Sequence, residues 1–167
     1  MLLLTVIVLL SLIAPIASAC PTQKVKGELV YYEYRRQGDH LWIHEYYKLM
    51  RLDDGTPVLK YSHHGPIAKV IRVPEEAFPM VADMVRKYKL RRLKYDYTAP
   101  LEILAANTWN LWVMYDGGCI SSGGFNGGRP PRRLDAGIEA VNAYLHSLTD
   151  NAADEDIIGY ENLRERS

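Results

Sequence analysis

The sequence has little cysteine and no excess of charge of either sign. Its 167 residues contain two cysteines, and 20 lysine and arginine residues balance 20 aspartate and glutamate residues. Two cysteines are too few for a disulfide-rich miniprotein or for a zinc site with four cysteine ligands. A net charge of zero removes the bulk attraction to phosphate that nucleic-acid-binding proteins usually show. We therefore predict no nucleic-acid partner.

Common catalytic and nucleotide-binding motifs are also missing. The glycine-rich stretch at residues 121–128 has neither a Lys-Ser/Thr ending nor G-x-G-x-x-G spacing, and its serines do not lie in a G-x-S-x-G elbow. The carboxylates are spread along predicted strands or lie in turns, where aspartate is favoured for its geometry alone. The sequence thus predicts no catalytic residues, no cofactor and no enzymatic activity.

Residues 1–19 have the pattern of an export signal. They carry no charge, are mostly apolar, and end in Ala17-Ser18-Ala19, an A-x-A cleavage pattern. The small residues before Cys20 resemble the lipobox of bacterial lipoproteins, which implies an acylated Cys20 as a membrane anchor. Two alternatives stay open: a simple secreted protein with a Cys20–Cys119 disulfide, or an uncleaved membrane anchor. All three interpretations predict an exported protein. It is either held in the cell envelope, facing the periplasm or the cell surface, or secreted.

The mature chain predicts a single α+β domain. Residues 20–26 form a polar linker, residues 27–149 the domain, and residues 150–167 an acidic flexible tail. Strand-forming runs broken at residues 37–39 and 53–55 indicate two hairpins, and a further strand pair surrounds the turn at residues 116–118. Apolar residues recur at helical spacing over residues 75–90 and 134–148. We expect an antiparallel sheet of about five to six strands with two helices packed on one face.

Histidines cluster around the second hairpin. If its turn centres on residues 54–55, His44 lies roughly opposite His64, and His40 shares a strand face with His44. Imidazole with a nearby carboxylate suits zinc, so His40, His44 and His64 are candidate metal ligands. Their spacing matches no named metal motif, and exposed histidines on a polar face are the competing interpretation.

Tyrosines are concentrated on the first two predicted strands. A candidate binding face comprises six aromatic residues: Tyr31, Tyr32, Tyr34, Trp42, Tyr46 and Tyr47. Tyrosine and tryptophan are enriched at protein interfaces, and aromatic rings also stack on sugars. The competing interpretation is that cross-strand aromatic pairs stabilise the sheet.

Residues 109–124 carry a resemblance to a known group of proteins. The segment WNLWVMYDGGCISSGG is similar to a strand pair found in small uncharacterised lipoproteins of Bacteroidetes, which also have a tyrosine-rich first hairpin. The resemblance implies an envelope-anchored domain of unknown function and supplies no catalytic residues.

Together these observations predict a non-enzymatic, envelope-anchored binding module whose partner is a protein or glycan of the cell envelope. A periplasmic immunity or inhibitor protein is one form of this hypothesis. The competing class is a metal-dependent envelope hydrolase that uses His40, His44 and His64.

Overall fold

A computed structural model describes residues 23, 25–38, 42–99 and 107–164 of the chain. They form one sheet of seven antiparallel strands and two α-helices, which confirms the α+β class. The strands are β1 (Leu29–Gln37), β2 (Ile43–Arg51), β3 (Pro57–His63), β4 (Ile67–Arg72), β5 (Thr108–Tyr115), β6 (Gly118–Gly124) and β7 (Ile157–Asn162). The helices are α1 (Ala77–Lys87) and α2 (Arg132–Asp150), and short 3-10 turns lie at Leu90–Arg92 and Asp154–Asp156.

The strand order across the sheet is β6-β5-β1-β2-β3-β4-β7. The first four strands form a continuous meander, because short turns join antiparallel neighbours with little loss of entropy. The β5–β6 hairpin pairs with the free edge of β1, and β7 pairs with β4 at the opposite side.

Alternation of side chains gives the sheet two different faces. On β5 the odd-numbered residues from Trp109 to Tyr115 are buried, whereas the even-numbered ones are half-buried or exposed. The buried residues belong to one large apolar cluster that also contains Tyr32, Leu49 and Ile71 of the other strands. We call this side the core face and the opposite side the outer face.

Residues from both helices enter the same apolar cluster. Phe78, Val81 and Val85 of α1 contribute to it, as do Ile138 and Leu145 of α2. Their spacing of three, four and seven residues is that of a helix with one apolar side, as the sequence predicted. Within the described residues, no helix is long and apolar enough to cross a bilayer.

Two strands correct the sequence prediction. The sheet has seven strands and not five to six, because residues 67–72 and 157–162 form strands that the prediction omitted. The second of these lies in the segment predicted as a flexible acidic tail, and that prediction is wrong for the paired residues. Leu163, just beyond β7, is buried with Ile43, Tyr46 and Ala68 in a small second cluster. The domain therefore extends past residue 149.

Candidate functional site

Four of the six aromatic residues of the predicted binding face are buried. Tyr32, Tyr34 and Tyr47 belong to the large apolar cluster, and Tyr46 belongs to the small one. Tyr31 is half-buried and Trp42 is 43% exposed. The prediction that these six residues form one exposed binding face is therefore wrong, because four of the rings are buried and no partner can contact them.

Two of the buried tyrosines have internal partners for their hydroxyl groups. Tyr32 donates a hydrogen bond to Oδ1 of Asn142 on α2 at 2.7 Å, and the Tyr47 hydroxyl lies 2.7 Å from Nε2 of His63. Burial raises the pKa of Tyr34 to about 12, so its hydroxyl stays protonated. Such satisfied groups are typical of structural side chains.

The predicted register of the histidine hairpin is confirmed. Glu45 pairs with His63, and the backbone N–H of His64 donates to the carbonyl of His44 at 3.3 Å. The ring centroids of His44 and His64 are 6.1 Å apart. His40 lies outside the described residues.

A fifth histidine, which the sequence prediction did not include, joins this group from α2. The rings of His63 and His146 are 4.8 Å apart, and His146 lies 3.7 Å from an oxygen of Asp150. Partial burial lowers the pKa of His63, and the neighbouring imidazoles of His146 and His64 act in the same direction. No three His, Cys, Asp or Glu groups in the described part of the chain are placed to hold a metal ion. The metal hypothesis gains no support there.

A cavity of about 390 Å³ lies beside His44 and is lined by Arg36, Trp109 and Arg129. Each arginine faces a carboxylate: Arg36 lies 3.6 Å from Glu45, and Arg129 lies 3.2 Å from Asp135. Burial raises the pKa of Glu45, and the charge of Arg36 opposes this shift. Because both cations are paired with acids, the cavity offers little net charge to an anionic ligand.

A second groove on the outer face has exposed aromatic walls. Its volume is about 290 Å³, and it is bounded by Tyr95, Trp112 and Phe125, which are 64%, 44% and 51% exposed. We call it the aromatic groove. Exposed rings that converge on one cavity are uncommon on a soluble protein surface and mark contact sites.

The floor and the wall of the aromatic groove come from different parts of the chain. Asn110 and Trp112 of β5 and Ser121 of β6 form the floor on the outer face. Residues 95–99 run along the open edge of β6: Gly123 donates to the Tyr95 carbonyl at 3.0 Å, and Tyr97 donates back to Gly123 at 2.9 Å. These bonds fix the wall because they extend the sheet by one short segment.

Polar side chains line the groove beneath the rings. They are Asp96, Thr108, Asn110, Ser121 and Ser122. Ser122 donates to the carbonyl of Lys94 at 2.6 Å, and Asp96 accepts from Thr98 at 2.6 Å. In contrast, the Asn110 amide and the Trp112 indole N–H form no hydrogen bond to any described residue. These two groups are therefore available to a ligand.

The chain that follows the predicted signal is attached next to this groove. The Gln23 side chain donates to the Ser121 carbonyl at 2.8 Å and accepts from the Ser121 N–H at 3.1 Å. Gln23 also forms a bridge to Cys119, and Cys119 is disulfide-bonded. Cys20, the predicted lipidation site, lies outside the described residues, as do residues 1–19.

Comparison of this chain with protein-family models, curated proteins and solved structures finds no match. The resemblance to small Bacteroidetes lipoproteins therefore stays a prediction.

Proposed function

We propose that this protein is an exported, non-enzymatic binding module and that the aromatic groove is its binding site. The observation that carries the proposal is the convergence of three exposed aromatic rings, Tyr95, Trp112 and Phe125, on one polar cavity. Large rings bring contact area at a low cost in side-chain entropy, and tryptophan and tyrosine are the residues that most often dominate binding energy. Met114, 48% exposed on the same strand face as Trp112, extends the apolar rim.

The proposal includes an arrangement in which both helices cover the core face and leave the outer face to a partner. Two contacts support it. Asn142 of α2 accepts the hydrogen bond of Tyr32, which points to the core face, and Phe78 of α1 belongs to the same cluster as Tyr32. A sheet that is covered on one side presents its other side for recognition.

The groove favours binding over hydrolysis. Among the described residues that line it, Asp96 is the one carboxylate. Hydrolysis of a glycosidic bond uses two carboxyl groups, about 5 to 10 Å apart, as acid and nucleophile or base. Hydrolysis of peptide or ester bonds would need an activated nucleophile with an adjacent base, and the described lining contains no histidine.

Export of the protein rests on the signal pattern of residues 1–19, and two states of Cys20 follow from it. An acylated Cys20 would anchor the module to a membrane. An acylated Cys20 could not be the disulfide partner of Cys119, because its sulfur would carry the lipid. The disulfide at Cys119 supports the secreted alternative. Intact-mass measurement of the purified protein distinguishes them: acylation adds the mass of two or three acyl chains, whereas a disulfide removes two hydrogens.

The experiment that tests the binding function compares two tryptophans of equal exposure. Trp112 lies in the groove and is 44% exposed, whereas Trp42 is 43% exposed and does not line it. Labelled wild type, Trp112→Ala and Trp42→Ala proteins are incubated with isolated cell envelopes of the organism that expresses the protein. We expect Trp112→Ala to weaken retention at least about 30-fold, as for an aromatic hot spot, and Trp42→Ala to leave it unchanged. Equal retention of all three would refute the groove as the binding site.

A further inference from the structure

We propose that the ligand of the aromatic groove is a neutral glycan. This inference rests on the proposed function and names the chemical class that the groove selects. It follows from three properties of the described lining: the arrangement of the rings, the type of the polar groups and the sign of the charge.

The rings suit the apolar side of a sugar. The hydrogens on the carbon atoms of a pyranose ring carry a slight positive charge, and the face of an aromatic ring is negative. Trp112 projects from the floor, while Tyr95 and Phe125 come from the two loops beside it. The cavity of about 290 Å³ lies near the lower limit of small-ligand sites, which hold roughly 300 to 1,000 Å³, so its size suits a short sugar segment.

The polar groups suit the hydroxyls of a sugar. A hydroxyl both donates and accepts, and an Asn amide offers one acceptor and two donors. Asn110 and Trp112 both line the groove, and neither side chain forms a hydrogen bond to another described residue. Such groups lose binding energy when an apolar ligand covers them, because they give up water and gain no partner.

Gly123 leaves room for the Asn110 amide in the floor of the groove. These two residues are cross-strand partners, and a Cβ at position 123 would lie 2.9 Å from Oδ1 of Asn110. A side chain there would displace the amide or fill the groove. Glycine at this position therefore keeps both the cavity and the orientation of its main polar group.

The charge of the groove excludes acidic glycans. No lysine, arginine or histidine lines it among the described residues, and Asp96 supplies a carboxylate at its wall. A uronic acid or sulfated sugar would place its negative charge near this carboxylate without a compensating cation. The groove thus favours sugars that carry no charge.

The test treats the envelopes of the retention experiment in two ways before the protein is added. Periodate cleaves the bond between carbons that bear neighbouring hydroxyls and so destroys sugar rings, whereas protease digestion removes exposed protein. We expect periodate to abolish the retention that depends on Trp112. Persistence of that retention after periodate, together with its loss after protease, would overturn the glycan inference and leave the binding function intact.

Failure of the binding function gives a different result. In that case the untreated envelopes would retain wild type and Trp112→Ala equally, and both treatments would leave this equality unchanged. Asn110→Ala provides a second variant that does not alter the rings, and we expect it to weaken retention by about tenfold. Unchanged retention in Asn110→Ala would contradict the assignment of the amide to sugar hydroxyls.

Discussion

The protein uses aromatic residues in two opposite ways on the two sides of its sheet. On the core face, Tyr32 and Tyr47 are at most 1% exposed, and each hydroxyl has an internal partner. In the aromatic groove, the rings of Tyr95, Trp112 and Phe125 are about half exposed, and the polar groups among them include some without an internal partner. The first set can only stabilise the fold. The second set exposes apolar ring surface to water, which is unfavourable unless a ligand covers it.

The comparison shows that aromatic density along a strand does not locate a binding surface. The tyrosine-rich strands β1 and β2 lie in the middle of the sheet, where both faces are partly covered. The groove lies near the edge of the sheet, where β6 pairs with β5 on one side and is bonded to residues 95–97 and Gln23 on the other. The face on which a ring lies and the position of its strand in the sheet together decide whether the ring is buried or exposed.

The largest effect should follow from removing a core-face ring. We expect Tyr32→Ala to lower the free energy of unfolding by about 3–5 kcal/mol, because it leaves a cavity the size of an aromatic ring in a close-packed interior. Tyr95→Ala, which truncates a ring that is 64% exposed, should change it by no more than about 0.5 kcal/mol. Urea unfolding followed by circular dichroism measures both. Similar losses in the two variants would remove the distinction between the two aromatic sets.

A smaller effect is expected when the Tyr32 ring is kept and its hydroxyl removed. Tyr32→Phe leaves the buried Oδ1 of Asn142 without its donor, which should cost about 1–2 kcal/mol of stability. The same substitution at Tyr95, which forms no side-chain hydrogen bond to a described residue, should be close to neutral. A double-mutant cycle with Asn142→Ala measures the coupling directly, and a coupling energy near zero would contradict a stabilising hydrogen bond.

Acidification should affect the core side of the molecule more than the groove. The pKa of His63 is lowered in the folded state, so the unfolded chain binds more protons as the pH falls through about 6.5. Stability should therefore decrease below this pH and level off below the folded pKa. His63→Gln should make the profile flatter between pH 7 and 5. Retention on envelopes should change little over that range, since no histidine lines the described part of the groove. A profile that is the same in wild type and His63→Gln would refute the role of His63.

The smallest effect is expected from a single methyl group in the groove. Gly123→Ala should weaken retention several-fold, because the added carbon contacts Asn110 and the Trp109 carbonyl. Gly65→Ala is the matched control, since nothing lies within 4 Å of a Cβ at that position. Thermal unfolding of both variants checks that the loss is specific to binding. An equal effect of both substitutions on retention would contradict the role assigned to Gly123.

Local signals were sufficient to predict much of the fold. The turns at residues 37–39 and 53–55 predicted the first three strands, and the second turn also set the register that brings His44 next to His64. Apolar spacing predicted α2, which runs over Arg132–Asp150. Turn chemistry and periodicity act over a few residues, so a single sequence contains them.

The missing parts depend on contacts that are distant in sequence. β7 lies in an acidic segment without strong alternation, and it forms because β4 offers an unpaired edge. Burial of Tyr46 depends on Leu163, which follows β7. Once β7 is missed, Tyr46 is wrongly expected to face solvent.

The aromatic groove was missed for a similar reason. Alternation along β5 places Trp112 opposite the core face, and this could have been read from the sequence. Tyr95, however, comes from an irregular segment that is held by a backbone bond to Gly123 of β6, and Phe125 lies in the loop just beyond β6, where its carbonyl accepts from Ala99 and Gly128. No periodic pattern predicts where such segments lie, so the convergence of the three rings becomes visible only in the folded chain.

The most direct test of this account uses the three tryptophans as separate reporters. The indole N–H signals of Trp42, Trp109 and Trp112 are followed in nitrogen-15 spectra while neutral oligosaccharides released from the cell envelope are added, with the acidic oligosaccharides of the same preparation as the control. We predict that the neutral fraction shifts the Trp112 signal and leaves that of Trp109, whose N–H donates to the Gly128 carbonyl at 2.8 Å, in place. A shift of Trp42 or Trp109 alone, or a response to the acidic fraction and not the neutral one, would contradict the account.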